Sequence, residues 1–206
     1  MKRCTWTICR LLVCGLLGCC LTLPAAAAET KAPAAKPAAP SEKEMMDAMI
    51  KLATPGPQHA ALKALAGSWK AVVKNFPPAG EPVVTEGTAE DSLILGGRFI
   101  REEFHGTFMG QPFEGYGLTG YDNAKKQYVS AWVDSMDTMI STQTGSMDKA
   151  GKTLTFHGTY DDPMTHKKMP SKMITKIVDD NSHVFEMWNL VEGKDHKEME
   201  ITYTRK

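Results

Sequence analysis

Glu102 and Glu103 stand side by side in a short run whose neighbours alternate, so one carboxylate falls on each face of a strand. Ile100, Phe104 and Phe108 share the Glu102 face. A carboxylate in such company either pairs with a cation, Arg98 or Arg101 being nearest in sequence, or faces a polar pocket, because an unpaired charge is costly to bury. A buried Glu102 could act as a general base, but no second group completes an acid/base pair, so no catalytic residue is assigned. The second cluster is Asp134, Ser135, Met136, Asp137 and Thr138, directly after Trp132. Polar residues beside an aromatic at the mouth of a sheet can orient a ligand, and the plain alternative is a solvated turn. The candidate ligand-binding residues are therefore Glu102, Trp132, Asp134, Ser135, Met136 and Thr138.

Other spacings imitate chemistry without its context. Gly115-Tyr116-Gly117-Leu118-Thr119-Gly120 has the letters of the dinucleotide fingerprint, yet it leads into a turn and another strand instead of the helix whose N-terminus would hold the pyrophosphate. Ser146 and Lys149 have the S-x-x-K spacing of penicillin-recognising enzymes, but the segment enters a hairpin, which points the two side chains apart. Met164, His166 and Met169 have soft-metal character, whereas Lys167 and Lys168 between them repel a cation and methionine is a common core filler. No metal and no cofactor is expected.

Residues 1–28 carry Lys2, Arg3 and Arg10, then an apolar run over 11–23, then Pro24 and alanines up to Glu29. This is the pattern of a secretory signal peptide cleaved near Ala28, since the run falls short of the ~20 residues that cross a bilayer. Export to the periplasm or medium is expected. All five cysteines lie in this segment, so the remainder has neither disulfide nor thiolate chemistry. Leu16-Leu17-Gly18-Cys19 is the alternative, a lipoprotein box with Cys19 lipidated. The segment takes three of the 24 basic residues and none of the 24 acidic ones, and a mildly acidic remainder argues against nucleic acid as partner. Oligomeric state is not legible.

The elements that position these groups follow from periodicity. Residues 29–40 are a Pro/Ala/Lys linker with nothing to bury. Ser41 and Glu44 form a capping box for a helix whose apolar stripe is Met45, Met46, Met49, Ile50 and Leu52, and a second short helix over 58–66 ends at Gly67. The helices of residues 41–66 are expected to cover a barrel mouth or wall. From 67 to 206 roughly ten alternating runs are broken by turn clusters, among them a two-residue Gly96-Gly97 hairpin and a turn over 134–137. The fold class is mainly β, an antiparallel up-and-down barrel. Residues 128–133 are apolar on both faces, which suggests an outer covering helix. Gly67 and Trp69 open the first strand and Arg205 closes the last, so a closed barrel could bring the guanidinium over the indole as a structural seal, the alternative being a plain core Trp with an unrelated surface Arg.

Gly96 to Glu103, Phe113 to Asn123 and Trp132 to Met136, with Gly67-Ser68-Trp69 and the closing Tyr203-Thr204-Arg205-Lys206, resemble the bacterial domain of unknown function 1579 over about residues 57 to 206. The resemblance implies a lipocalin-like barrel and carries no agreed catalytic residues. The expected function is an exported barrel that binds a small apolar or amphipathic ligand, the alternative being an envelope interaction or scaffold module with a filled barrel.

Overall fold

The structure, a computed structural model, describes residues 39–162, 165–191 and 194–206. The segment expected as a signal peptide and most of the expected linker lie outside the described residues, as does Met164. Residues Pro40–Lys206 form one compact unit.

Ser41 caps helix α1, Glu42–Ala53, with the reciprocal Glu44 bond of a capping box. Gly56 and Pro57 then start α2, Pro57–Ala61, which passes into a 3₁₀ turn, Leu62–Leu65. The segment expected as one helix is thus a single α-turn that tightens, and the tightening turns Leu62 and Leu65 into the barrel. Ten strands follow: β1 Gly67–Asn75, β2 Val83–Ile94, β3 Phe99–Phe108, β4 Gln111–Asp122, β5 Gln127–Asp134, β6 Ser141–Met147, β7 Thr153–Asp161, β8 Lys168–Asp179, β9 Ser182–Val191 and β10 Lys194–Arg205. Each pairs antiparallel with its neighbours, and β1 pairs with β10 to close the barrel.

Leu62 and Leu65 plug one end, packing with Ile100, Tyr128, Leu154 and Phe156. The Tyr128 hydroxyl donates to Gln58 O at 2.9 Å and ties the plug to β5. A second core, Trp69, Ala71, Ala89, Phe104, Ile201 and Tyr203, lines the inner face where the barrel closes. Trp69 is fully buried and donates Nε1–H to Leu65 O at 3.0 Å. The Arg205 guanidinium lies 4.2 Å from the Trp69 ring and donates to Ala66 O and Asp180 O, sealing the plugged end. Gly67, at φ 147, makes room for it, because a Cβ there would meet Arg205 Nη1 at 2.0 Å.

Four local expectations are corrected. The β2–β3 connection is a longer turn over residues 95–98, with Leu95 as well as both glycines at positive φ, because Ile94 O accepts from both Gly97 and Arg98. The β5–β6 connection runs over residues 135–140. Among the described residues no helix covers the outside of β5, where Val133 stays exposed beside Tyr116 and Leu118 of β4. Nor does α1 bury its stripe. It has no buried residue, and it is held at its C-terminal end by Arg98, which donates to Ala53 O, and by Asn123, which donates to Leu52 O and Thr54 O.

Candidate functional site

The register sends the mid-strand lysines and arginines outward. Trp69, Ala71 and Val73 alternate inward along β1, which sends Lys70 and Lys74 outward; Arg101, Lys172, Lys176 and Lys197 take outward positions likewise. The inward face carries carboxyls instead. Asp91 of β2 lies directly opposite Glu102 of β3 on that face, and the next residue in the row, Gly117 of β4, lies opposite Trp132 of β5.

Glu102 is surrounded by protein on every side, yet it keeps accessible surface, as do Asp91 and Trp132. Groups that are deep in a molecule and still accessible line an internal space. Tyr203 of β10 donates to Glu102 Oε1 at 3.0 Å, reaching past β1 and β2. No lysine or arginine nitrogen approaches Glu102 or Asp91 within 4 Å among the described residues: Arg101 pairs outside with Glu103 at 2.7 Å, and Arg98 serves α1 and Leu95 O. The cationic partner considered for Glu102 is therefore replaced by a phenol in a polar pocket. Burial pushes the Glu102 carboxyl up, against the opposing effect of the Tyr203 bond. Asp91 is pushed up to about 9, by burial first and then by the nearby Glu102 and Glu90 charges. Asp91 is therefore held protonated at neutral pH. Tyr203 is pushed well above the usual phenol range by burial and by the same carboxyls.

His183 of β9 stacks on Tyr203 at 4.3 Å and meets the Trp69 ring edge-on at 4.5 Å. Burial, with the Arg205 charge, lowers it to about 4, so the imidazole is neutral, and its Nδ1 has no partner. Farther round the inner wall Ser130, Gln143, Gly158, Ser171 and Asn189 lie opposite one another in a continuous row from β5 to β9. Gln143 donates to Ser141 Oγ and Asn189 donates to Glu198, but Gln143 Oε1 and Asn189 Oδ1 accept nothing, although the residues are 3% and 7% exposed.

Inward glycines explain how an aromatic fits beside these groups. A Cβ at Gly115 would stand 2.1 Å from Cζ2 of Trp132, and one at Gly117 would stand 3.3 Å from Trp132 Cε3 and 3.3 Å from Glu102 Oε2. The indole thus lies flat on the wall next to the Glu102 carboxyl. That is the structural use of the dinucleotide-like letters. Its Nε1–H donates to Asp134 Oδ2 at 2.8 Å, and Asp134 Oδ1 accepts from Met136 N.

Residues 54–205 match the family described as protein of unknown function, DUF1579. The chain belongs to this family. The DUF1579 barrel resembles two solved structures: Rv2717c from M. tuberculosis, TM-score 0.55 at 13% identity over 74% of this chain and 99% of that one, and the S-type phycobiliprotein lyase CPES from Guillardia theta, TM-score 0.50 at 11% identity over 74% and 98%. At such identities the likeness is one of fold, a lipocalin-like barrel. No curated protein matches the sequence.

In this DUF1579 barrel the expected site residues separate into two groups. Glu102 and Trp132 meet in the lumen, and Asp134 anchors the indole. Ser135, Met136 and Thr138 are exposed on the 135–140 connection, where Ser135 exchanges bonds with Glu114 to fasten the end of β4 to β5. They take no part in the lumen cluster, because the longer connection carries them past the rim. Asp91, Tyr203, His183, Gln143 and Asn189 were not anticipated. The parity of Ala89 and Asp91 along β2, continued across to Phe104 and Glu102, is the signal that could have found Asp91. A surface cleft of about 440 Å³ between α2 and the ends of β5 and β6 is lined by Pro57, Gln58, Tyr128 and Met147. It contains none of these carboxyls.

Among the described residues no group of three or more His, Cys, Asp or Glu is placed to hold a metal ion, and no helix is long and apolar enough to cross a membrane.

Proposed function

We propose that this protein is an exported barrel that binds a small amphipathic molecule in its lumen. The observation that carries the reading is the pair of unpartnered acceptors, Gln143 Oε1 and Asn189 Oδ1, on inward side chains that are more than nine-tenths buried. A barrel filled for stability alone would place apolar groups there, since each buried acceptor without a donor costs about 1–3 kcal/mol. A ligand that donates hydrogen bonds removes that cost, while Trp132 and Phe113 supply apolar contact. Export rests on the sequence of residues 1–28, with cleavage near Ala28 and lipidation of Cys19 as the other processing route. Periplasmic or secreted location is part of the proposal.

Native mass spectrometry of protein purified gently from its own envelope tests the reading. A discrete added mass that is lost on denaturation supports it, and Trp132→Ala should reduce the share of loaded protein while the barrel stays folded. A bare chain mass from every preparation overturns it. The mass of the bare chain also reports whether it starts at Glu29.

A second reading, an envelope interaction module, is favoured by α1, whose Met45, Met46, Met49, Ile50 and Leu52 are 49–65% exposed. Deleting residues 29–56 separates the two. A lumen binder keeps its ligand, whereas a docking module loses its partner.

A further inference from the structure

We infer that the lumen is built for an organic cation, an amine or ammonium with an apolar body, seated with its charged head on Glu102 and Asp91 beside the Trp132 indole. The inference rests on the lumen-binding reading above and adds the sign of the ligand's charge.

Four observations converge on it. Glu102 and Asp91 face the same internal space from directly opposed positions, both keep accessible surface, and the buried Asp91 Oδ1 has no partner. The lysines and arginines in the middle of these strands point out of the barrel, so the protein brings no cation of its own to the pair. An uncompensated buried carboxyl calls for a positive partner, and here the lumen is the side from which one can come. Trp132 and Glu102 Oε2 both lie 3.3 Å from the point above Gly117, an aromatic ring and a carboxyl sharing one nook, which is the composition that holds ammonium groups.

The remaining groups fit the same sign. Gln143 donates its amide to Ser141, which lies opposite Trp132, so its free Oε1 stands on the same stretch of inner wall. Asn189 likewise spends its donor on Glu198 and leaves its acceptor open. Both residues hold a buried acceptor without a donor, the complement of an N–H group. An anionic head would meet carboxyls and open acceptors, and a neutral alcohol would leave the carboxyl pair unanswered.

Because burial holds Asp91 protonated at neutral pH, seating a cation on the pair releases a proton to solvent. Of the charged and titratable groups nearby, Tyr203 of β10 bonds Glu102 and Glu90 on the outer side of β2 acts on Asp91, while His183 of β9 stacks on Tyr203, Arg205 of β10 lies on Trp69 and Asp134 holds Trp132. Tyr203 is raised and His183 is lowered to about 4, so neither of these supplies that proton between pH 6 and 8.

The test is calorimetric titration of the purified full chain with octylammonium, octan-1-ol and octanoate, which share one apolar body and differ in the head. Octylammonium is expected to bind at least tenfold more tightly than octanol, with octanoate weakest. Repeating the octylammonium titration at pH 6 and pH 8 in buffers of different ionisation enthalpy should show proton release and tighter binding at the higher pH. Glu102→Gln should erase the tenfold preference with an unchanged circular dichroism spectrum, and if that variant does not fold, Asp91→Asn serves in its place. Octanol or octanoate binding as tightly as octylammonium overturns the inference and leaves the lumen reading standing. Failure of all three probes, together with a bare native mass, overturns both.

Discussion

Tyr203 and Glu102, on strands separated by two others, are joined by one hydrogen bond of 3.0 Å inside the barrel, and it is the only one that Glu102 receives among the described residues. The bond couples the closing strand to the carboxyl cluster, so stability and the state of the site are read out by one contact.

Tyr203→Phe removes that donor while keeping the ring that stacks on His183. Leaving a buried acceptor unpaired should cost about 1–3 kcal/mol in urea unfolding. It should also raise the Glu102 carboxyl further, since the phenol is what holds it down. A midpoint identical to that of the parent would show that the bond carries no weight.

The pH dependence of stability has a defined sign. Asp91 ionises near its ordinary 3.8 in the unfolded chain and at about 9 when folded, so between these values the folded state holds the extra proton. The associated stability is fully present below 3.8 and is lost as pH rises through 9. His183 acts oppositely and lower: with its folded value near 4 against 6.5 unfolded, stability falls as pH drops from 6.5 to 4. Above pH 7 the Asp91 effect remains, while that of His183 is complete. Urea midpoints should decline from pH 7 to pH 9 in the parent and decline less in Asp91→Asn; equal slopes would contradict the assignment.

Gly115→Ala places a methyl 2.1 Å from the Trp132 ring, so the indole must leave the wall. The expected result is a shifted tryptophan emission spectrum and weakened ligand retention, with a folding cost of about 1–3 kcal/mol. Gly110→Ala is the control, because a Cβ there meets nothing within 4 Å and its φ of 76 brings strain alone. If both substitutions leave emission alike, the packing of Trp132 on Gly115 is not what holds it.

Arg205→Leu loses the stack on Trp69 and the two bonds to Ala66 O and Asp180 O. A loss of about 2 kcal/mol in thermal or urea unfolding is expected. Arg205→Lys should recover only part of it, because an ammonium cannot stack and fork at once. Full recovery by lysine would reduce the seal to a point charge.

Much of the barrel was legible because its determinants are local. Turn residues and alternation mark each strand, and antiparallel neighbours need no long-range information, so closure made the Trp69–Arg205 contact one of two open readings. Glu102 was legible as an inward carboxylate from the parity of Ile100 and Phe104. Its partners were not. Tyr203 and Asp91 meet it through register, which shifts by whole residues with turn length, and the Gly96-Gly97 turn proved longer than two residues. Ser135, Met136 and Thr138 lie near Trp132 in sequence, but the longer connection carries them past the rim, which parity alone does not reveal. The apolar stripe of α1 was readable as amphipathic, but periodicity does not say which surface, if any, receives it.

The closure of β1 on β10 also bears on how the chain reaches this state. Arg205 bonds to a carbonyl 139 positions away, and the plug, the seal and the Tyr203–Glu102 contact all wait on that pairing. Loop closure over such a span is entropically costly and comes late, so folding should take milliseconds to seconds, with the carboxyl cluster among the last parts to form. Until then Asp91 and Glu102 are ordinary solvated acids. Their unusual chemistry comes into being only when the ring of strands is complete.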